Sequence, residues 1–375
     1  MSKNFTHYFI IAVFPLLLAS CSTSRQGNAA TPRDKYEDRQ KANSVKNDPA
    51  LSQWRNAGVW ALSHPLSIPN AYFESGRFYA SDSTATAFLV SVKRGQKLTA
   101  AFQSAANSMG RGYLDIWKYV AGGAPQFIAA ADTSYNYIET IAGGDVNIIV
   151  RFQGQIGFAG NYILDIHTGP SLMYPIPSNI KAPVGSFFGD GRDNGSRKHE
   201  GVDIMAPKHS PAIAAAEGVI IQVGEDSLGG KVVSMQPAGT NLSLYYAHLD
   251  SQFVVYGQKV HAGDVLGITG NTGNARYTVS HLHFGIYSSG IAVDPLLFIR
   301  PAIVKKVTAF AFPANSSFAI MGAVKLYPAA DKAYAPIVLS KNSVVTLRGI
   351  SDEFYRVALI DGRSGFILKS ALIIK

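Results

Sequence analysis

The sequence predicts an all-β protein with more than one domain. Three observations carry this. Its apolar runs are short, they are rich in Val, Ile, Phe and Tyr, and they are punctuated by 35 glycines and 18 prolines. Short β-branched and aromatic runs bounded by turn residues read as strands, whereas helices need longer stretches with a 3.6-residue period. At 375 residues, 47% hydrophobic and only 16% charged, the chain is long enough for two or three hydrophobic cores.

The N-terminus has the pattern of an export signal over residues 1–20. Lys3 gives a positive start, Tyr8 to Leu18 an apolar run, and Ala19 and Ser20 a small-residue approach to Cys21. Leu18-Ala19-Ser20-Cys21 is similar to a bacterial lipobox, which implies cleavage before Cys21, acylation of that residue and a lipid anchor in the membrane. Cys21 is the only cysteine, so no disulfide competes for it. With Ser22 next, the same resemblance points to the outer membrane, facing the periplasm. Residues 21–52 are polar, carry both charge signs and lack aliphatic periodicity. They are expected to be a flexible tether, with a root-mean-square reach of about 30 Å. The net charge of +9 is scattered among acidic neighbours, and no basic cluster is interleaved with aromatics. That pattern, together with export, excludes nucleic acid as a partner.

Residues 53–168 contain short runs at 87–92, 97–102, 113–120, 126–131, 135–140, 145–152 and 161–166. This many short strands with glycine turns predicts a β-sandwich, and the order of the runs is similar to jelly-roll modules found beside secreted peptidases. Trp54, Trp60, Trp117, Tyr119, Tyr135 and Tyr137 are expected mainly in the core or in cross-strand pairs. A carbohydrate-stacking platform is their functional alternative. His64 and His167 are expected to be structural or solvated.

Pro170, Pro175, Pro177 and Pro183 mark a stiff lead into residues 169–300, where short strands are expected at 212–217, 219–223, 231–235, 242–247, 264–269 and 281–287. Three patches there carry histidines: R-K-H-E-G-V-D-I-M-A-P (197–207), L-Y-Y-A-H-L-D (244–250) and S-H-L-H-F-G-I-Y (280–287). A catalytic zinc needs three His, Asp or Glu ligands and an open position. The patches offer His199, Asp203, His248, His281 and His283. On a strand, residues i and i+2 share a face, so His281 and His283 point together while Leu282 and Phe284 turn away, and one can bind metal while the other handles a proton. Asp203, in a segment with Gly201 and closed by Pro207, is expected on a bent strand or loop and supplies an anionic oxygen beside imidazoles, a mix that suits zinc. The same period-2 rule puts His248 on one face with Leu242, Leu244 and Tyr246. His209 and His261 are expected at the surface.

The order H-x-G-x-D-I-x-A-P, Y-x-H-L and H-L-H-F, with G-Q-K-V-H-A-G-D-V-L-G-I-T-G-N-T-G (257–273) before the last, resembles the lysostaphin/LytM-type zinc endopeptidases of cell-wall peptidoglycan. The resemblance covers roughly residues 183–296. It implies an antiparallel β-sheet peptidase domain with zinc held by His199, Asp203 and His283. It further implies His281 as general base towards a zinc-activated water, and His248 as a second catalytic histidine stabilising the transition state. Two features depart from the family pattern. The approach N-A-R-Y-T-V-S (274–280) lacks the usual small residues, and Gly285 stands where an acidic residue is common, so the groove should have its own shape.

Residues 301–375, with K-L-Y-P-A-A-D, I-V-L-S-K-N-S-V-V-T-L-R-G-I and F-Y-R-V-A-L-I-D-G-R-S-G-F-I-L, look like a bacterial SH3-like barrel. Asp361-Gly362 is its best hairpin turn. Together these readings predict a lipid-anchored zinc endopeptidase acting on peptidoglycan, with the D-alanyl cross-link as the expected bond and other cell-wall enzymes as further partners. The rival is a non-catalytic wall-binding protein that activates an amidase; such proteins lose zinc ligands, and here all are present.

Overall fold

The computed structural model describes residues 30–43, 48–79, 85–104, 110–132, 136–300 and 317–372. The export signal, Cys21 and Tyr135 lie outside the described residues. No helix among the described residues is long and apolar enough to cross a membrane.

The seven runs expected in 53–168 all form strands, and they divide between two sheets. One has five strands, in the order Leu66–Ser67, Ala85–Val92, Val146–Gly154, Gly112–Lys118 and Gln126–Ala130. The other contains Ala71–Phe78, Gly160–Pro170, Gln96–Ser104 and Tyr137–Ile141. A shared core holds them together, with Phe88, Val90, Ile116 and Val150 from the first sheet meeting Leu98, Ala100, Leu164 and Ile166 from the second. Trp54 is fully buried and Trp60 is exposed and stacked on His64. Trp117 is edge-on to Phe127, and Tyr137 is exposed.

One sequence expectation is corrected here. The segment 21–52 is not a tether throughout: Pro32–Asn43 and Pro49–Ser63 are helices. Arg33 and Tyr36, one turn apart, place a guanidinium over the Trp54 ring at 4.3 Å and a phenol edge-on to it at 5.3 Å. Glu37 pairs with Arg33, Lys41 and Arg55. Aromatic and ionic contacts thus replace the aliphatic stripe whose absence suggested a coil. Asp48 caps the second helix through the Ala50 amide, with Pro49 at its first position.

Residues 301–375 are expected as an SH3-like domain; the described part, 317–372, has a core of its own that includes Ile320, Leu326, Val345, Leu347, Val357 and Ile367, and its strands also extend the second sheet of the N-terminal region. Val344–Ile350 pairs with Ala71–Phe78, and Phe354–Leu359 and Ser364–Leu368 continue outward from it. The hairpin turn at Asp361-Gly362 forms as expected, with Gly362 at φ +86°. A buried ion pair links the two regions. Arg356 donates to both oxygens of Glu74, at 2.7 and 2.9 Å, and Tyr162 donates to Glu74 Oε1. Stranding either charge by removing the other costs about 3–5 kcal/mol in such pairs, so the two distant segments are locked together. Phe354 and Phe366 enter the N-terminal core.

Between these regions stands a third sheet, antiparallel throughout, as expected for 169–300. Its central order is Val184–Ser186, Gly201–Ile204, Leu282–Ser288, Leu242–Gln252, Gly230–Pro237, Gly218–Asp226 and Lys259–Val260. Val202, Ile204, Leu244, Tyr246, Leu282 and Phe284 point to one side and are fully buried. The proline-rich lead packs onto the same core through Leu172 and Ile176.

Candidate metal centre

The opposite face of this third sheet gathers the histidines. Asp203 pairs directly with His283 across the Gly201–Ile204 and Leu282–Ser288 strands, and Ala247 pairs with His283 on its other side. Gly201 makes this register possible, because a Cβ there would lie 2.8 Å from the His283 ring and 2.6 Å from the Phe284 carbonyl. His199 Nε2 lies 2.9 Å from His283 Nδ1 and 3.0 Å from Asp203 Oδ1, and His283 Nδ1 lies 3.1 Å from the same oxygen.

Tautomers follow from the acceptors on the far sides of the rings. His199 Nδ1 donates to the Phe187 carbonyl at 2.8 Å, so its Nε2 turns a lone pair inward. His281 Nδ1 donates to the Val279 carbonyl at 2.9 Å, leaving Nε2 bare and 3.9 Å from Asp203 Oδ1. Two imidazole nitrogens and one carboxylate oxygen within about 3 Å of each other could share one metal ion. Two nitrogens and an oxygen form a donor set that suits zinc. His199, Asp203 and His283 are the group among the described residues able to hold such an ion.

His248 arrives by a different route from the one the alternation predicts. Leu244 and Tyr246 are core residues, while Tyr245 and Ala247 line the cleft. Strict period-2 geometry would bury His248 with Leu244. Instead the strand bulges, with Ala247 opposite His283 and Leu249 opposite Lys231. His248 itself is left-handed at φ +60°, a conformation that costs roughly 1–3 kcal/mol for a non-glycine residue. This turns its ring to the cleft, 4.9 Å from the His281 ring. Its amide is tied to the Gly229 carbonyl at 2.7 Å and its Nδ1 to the Thr272 carbonyl at 2.9 Å. The loops carrying these two carbonyls touch at Gly273, φ +67°, where a Cβ would lie 2.3 Å from the Gly230 nitrogen.

Burial and charge set the protonation states. Burial pushes Asp203 up, but its contacts with the His199 and His283 rings outweigh it and hold the carboxyl well below its usual range. Burial lowers His283, against the pull of Asp203. Burial, with His281 and His283 adding to it, lowers His248 to about 4. In the metal-free protein this has a definite sign. Below pH 6.5 the unfolded chain takes up a proton that the folded His248 refuses until about pH 4, so acidification favours unfolding across that window. Urea denaturation at pH 7 and pH 4.5 should show this site costing about 2 kcal/mol, and His248→Gln should flatten the profile by that amount. An unchanged profile would mean that the ring titrates normally.

The five residues line one cleft of about 760 Å³, within the size range of ligand sites. All of its lining residues fall between 185 and 287, so neither flanking region walls it. The 274–280 approach forms a rim on which Tyr277 and Val279 stand exposed. His209 and His261 are at the surface, as expected, and His167 pairs with Asp165 at 2.9 Å. Sequence reasoning missed Arg192, which donates to Asp203 Oδ2 at 2.7 Å, and Thr272 and Phe187. The last two act through backbone carbonyls, which leave no trace in residue identity.

Residues 197–295 match the family model described as Peptidase family M23. The chain is similar to the peptidoglycan DD-endopeptidase ShyC of Vibrio cholerae, 29% identical over 126 residues that make up 34% of this chain and 25% of that protein. It is similar to the uncharacterized lipoprotein YgeR of Escherichia coli, 34% identical over 103 residues, 28% of this chain and 40% of that one. The L-Ala–D-Glu endopeptidase of Bacillus subtilis is 31% identical over 150 residues, 38% of this chain and 44% of that protein. The chain therefore spans less than half the length of each of these relatives. With the family match, the residue order and the convergent His199, Asp203 and His283 on one sheet face, the chain carries a domain of peptidase family M23.

Proposed function

We propose that this protein is a zinc-dependent endopeptidase that hydrolyses peptide bonds of cell-wall peptidoglycan, the D-alanyl cross-link first among them. The observation that carries the reading is the approach of His199 Nε2, Asp203 Oδ1 and His283 Nδ1 to about 3 Å of one another on a cleft floor. His199, Asp203 and His283 would hold the ion, which supplies Lewis acidity towards a scissile carbonyl and acidifies water. His281, excluded from the triad yet facing it with a bare Nε2, accepts the proton of the attacking water and returns it to the leaving amine. His248 enters neutral, its one proton spent on the Thr272 carbonyl. To donate to an oxyanion through Nε2 it must take up a second proton from solvent, and negative charge developing in the buried cleft favours that uptake.

The choice of bond is supported by the relative named for DD-endopeptidase activity. The relative named for L-Ala–D-Glu cleavage supplies the competing outcome. Mass spectrometry of isolated sacculi digested with the purified protein should show cross-linked dimers falling as monomers with intact stems rise. Products split within the stem would move the assignment to the second bond, and undigested sacculi would refute the enzyme. We further propose that Cys21 is acylated and anchors the protein in the envelope, at the outer membrane facing the periplasm. The Leu18–Cys21 pattern and the lipoprotein name of one relative support this. Cys21→Ser should shift the protein from the membrane to the soluble fraction, and unchanged fractionation would exclude the anchor.

A further inference from the structure

We propose that Arg192 is a positioning residue for the metal centre, and that it confines Asp203 to binding an ion through Oδ1 alone. The inference rests on the metal-dependent reading above. Asp203 divides its two oxygens between different tasks: Oδ1 faces the His199 and His283 nitrogens at 3.0 and 3.1 Å, while Oδ2 receives Arg192 Nη2 at 2.7 Å. A carboxylate without such a partner is free to rotate and offer both oxygens to a cation. With the guanidinium on Oδ2, rotation breaks a charge-assisted hydrogen bond in a largely buried position, and that cost keeps one oxygen inward.

Arg192 is itself held. The same Nη2 donates to Ser186 Oγ at 2.8 Å, and Ser186 Oγ donates to Asp190 Oδ2 at 2.8 Å. Asp190 Oδ2 also accepts the Phe187 amide at 2.8 Å, which sets the turn whose Phe187 carbonyl orients His199. The Gly191–Arg192 strand pairs with Arg197–Lys198, immediately before His199. One short segment, 186–192, therefore braces two of the three ligands from behind. Partners of this kind fix ligand orientation, and losing one typically costs 10–100-fold in metal affinity.

The test measures metal, not turnover. Zinc affinity of the full chain is read by competition with a chromophoric chelator, and coordination by the visible absorption of the Co²⁺-loaded protein. Arg192→Ala should bind zinc roughly 10–100-fold more weakly and show weaker cobalt bands, because the freed Oδ2 of Asp203 can then join Oδ1 as a ligand and raise the coordination number. Arg192→Lys keeps the charge but loses the planar fork, so it should recover part of the affinity. Circular dichroism checks that each variant is folded, and the lysine variant keeps the test open if the alanine variant is not. Wild-type affinity and spectrum in a folded Arg192→Ala protein would overturn the proposal, as would a lower melting temperature of the metal-free form with affinity unchanged, which marks a purely structural role. Failure of the wild-type chain to bind either ion would instead refute the metal-dependent reading beneath it.

Discussion

Asp203→Ala is expected to empty the metal site and abolish cleavage of peptidoglycan together. Asp203 is the only anion among the three converging groups, and its Oδ1 is the atom both imidazoles approach. Structural zinc sites are worth about 10–16 kcal/mol in total, so one ligand of three carries on the order of 3–5 kcal/mol, or roughly 10²–10⁴ in affinity. The fold should survive. Asp203 lies on a strand paired through its backbone to Leu282–Ser288, and alanine keeps that ladder. The change also leaves Arg192 without its carboxylate beside two imidazoles, which adds to the penalty against any cation. Metal analysis after dialysis, alongside sacculus digestion and circular dichroism, checks all three points. A folded Asp203→Ala protein that retains stoichiometric zinc would remove Asp203 from the ligand set.

His281→Ala separates metal binding from proton transfer. The His281 ring shares the cleft face with His283, two residues along the chain, yet its Nε2 stays 3.9 Å from Asp203 Oδ1 and outside the converging triad. Its Nδ1 is fixed by the Val279 carbonyl, so the free nitrogen is held at a defined place rather than in a mobile loop. Removing the ring should therefore leave zinc content at the wild-type level while cleavage falls by about 10²–10⁴, the usual worth of a positioned general base. Loss of zinc in this variant would make His281 a ligand. Full cleavage with full zinc would pass the proton-transfer role to His248, whose ring packs 4.9 Å away.

Much of this site is legible in the order of residues along the chain. His281 and His283 alternate with Leu282 and Phe284, and only a strand with one buried face satisfies that pattern, so both imidazoles have to point the same way. The strands of the first and third sheets are likewise visible as short β-branched runs between glycines, because local composition and period-2 burial agree there.

The failures share one cause, which is contact between residues far apart in sequence. The Ala71–Phe78 strand is absent from the runs expected in 53–168; it carries Glu74, Ser75 and Gly76, and Glu74 is buried there against Arg356, 282 positions later. The helix at 32–43 looks unstructured because its anchors are an arginine and a tyrosine on Trp54 rather than an aliphatic stripe. His248 obeys no alternation, since one left-handed residue at a bulge reverses which face follows.

The sequence alone therefore determined most of the strands and the shared face of His281 and His283, because these depend on neighbours one to four positions apart, while the choice of His199, Asp203 and His283 as ligands is what the family resemblance implied. Only the tertiary structure decided that Asp203 lies opposite His283, that Arg192 and the carbonyls of Phe187, Thr272 and Val279 orient the four side chains, and that the C-terminal strands join the N-terminal sheet. Backbone acceptors and buried charge partners are supplied by remote segments, and no local pattern of side chains encodes them.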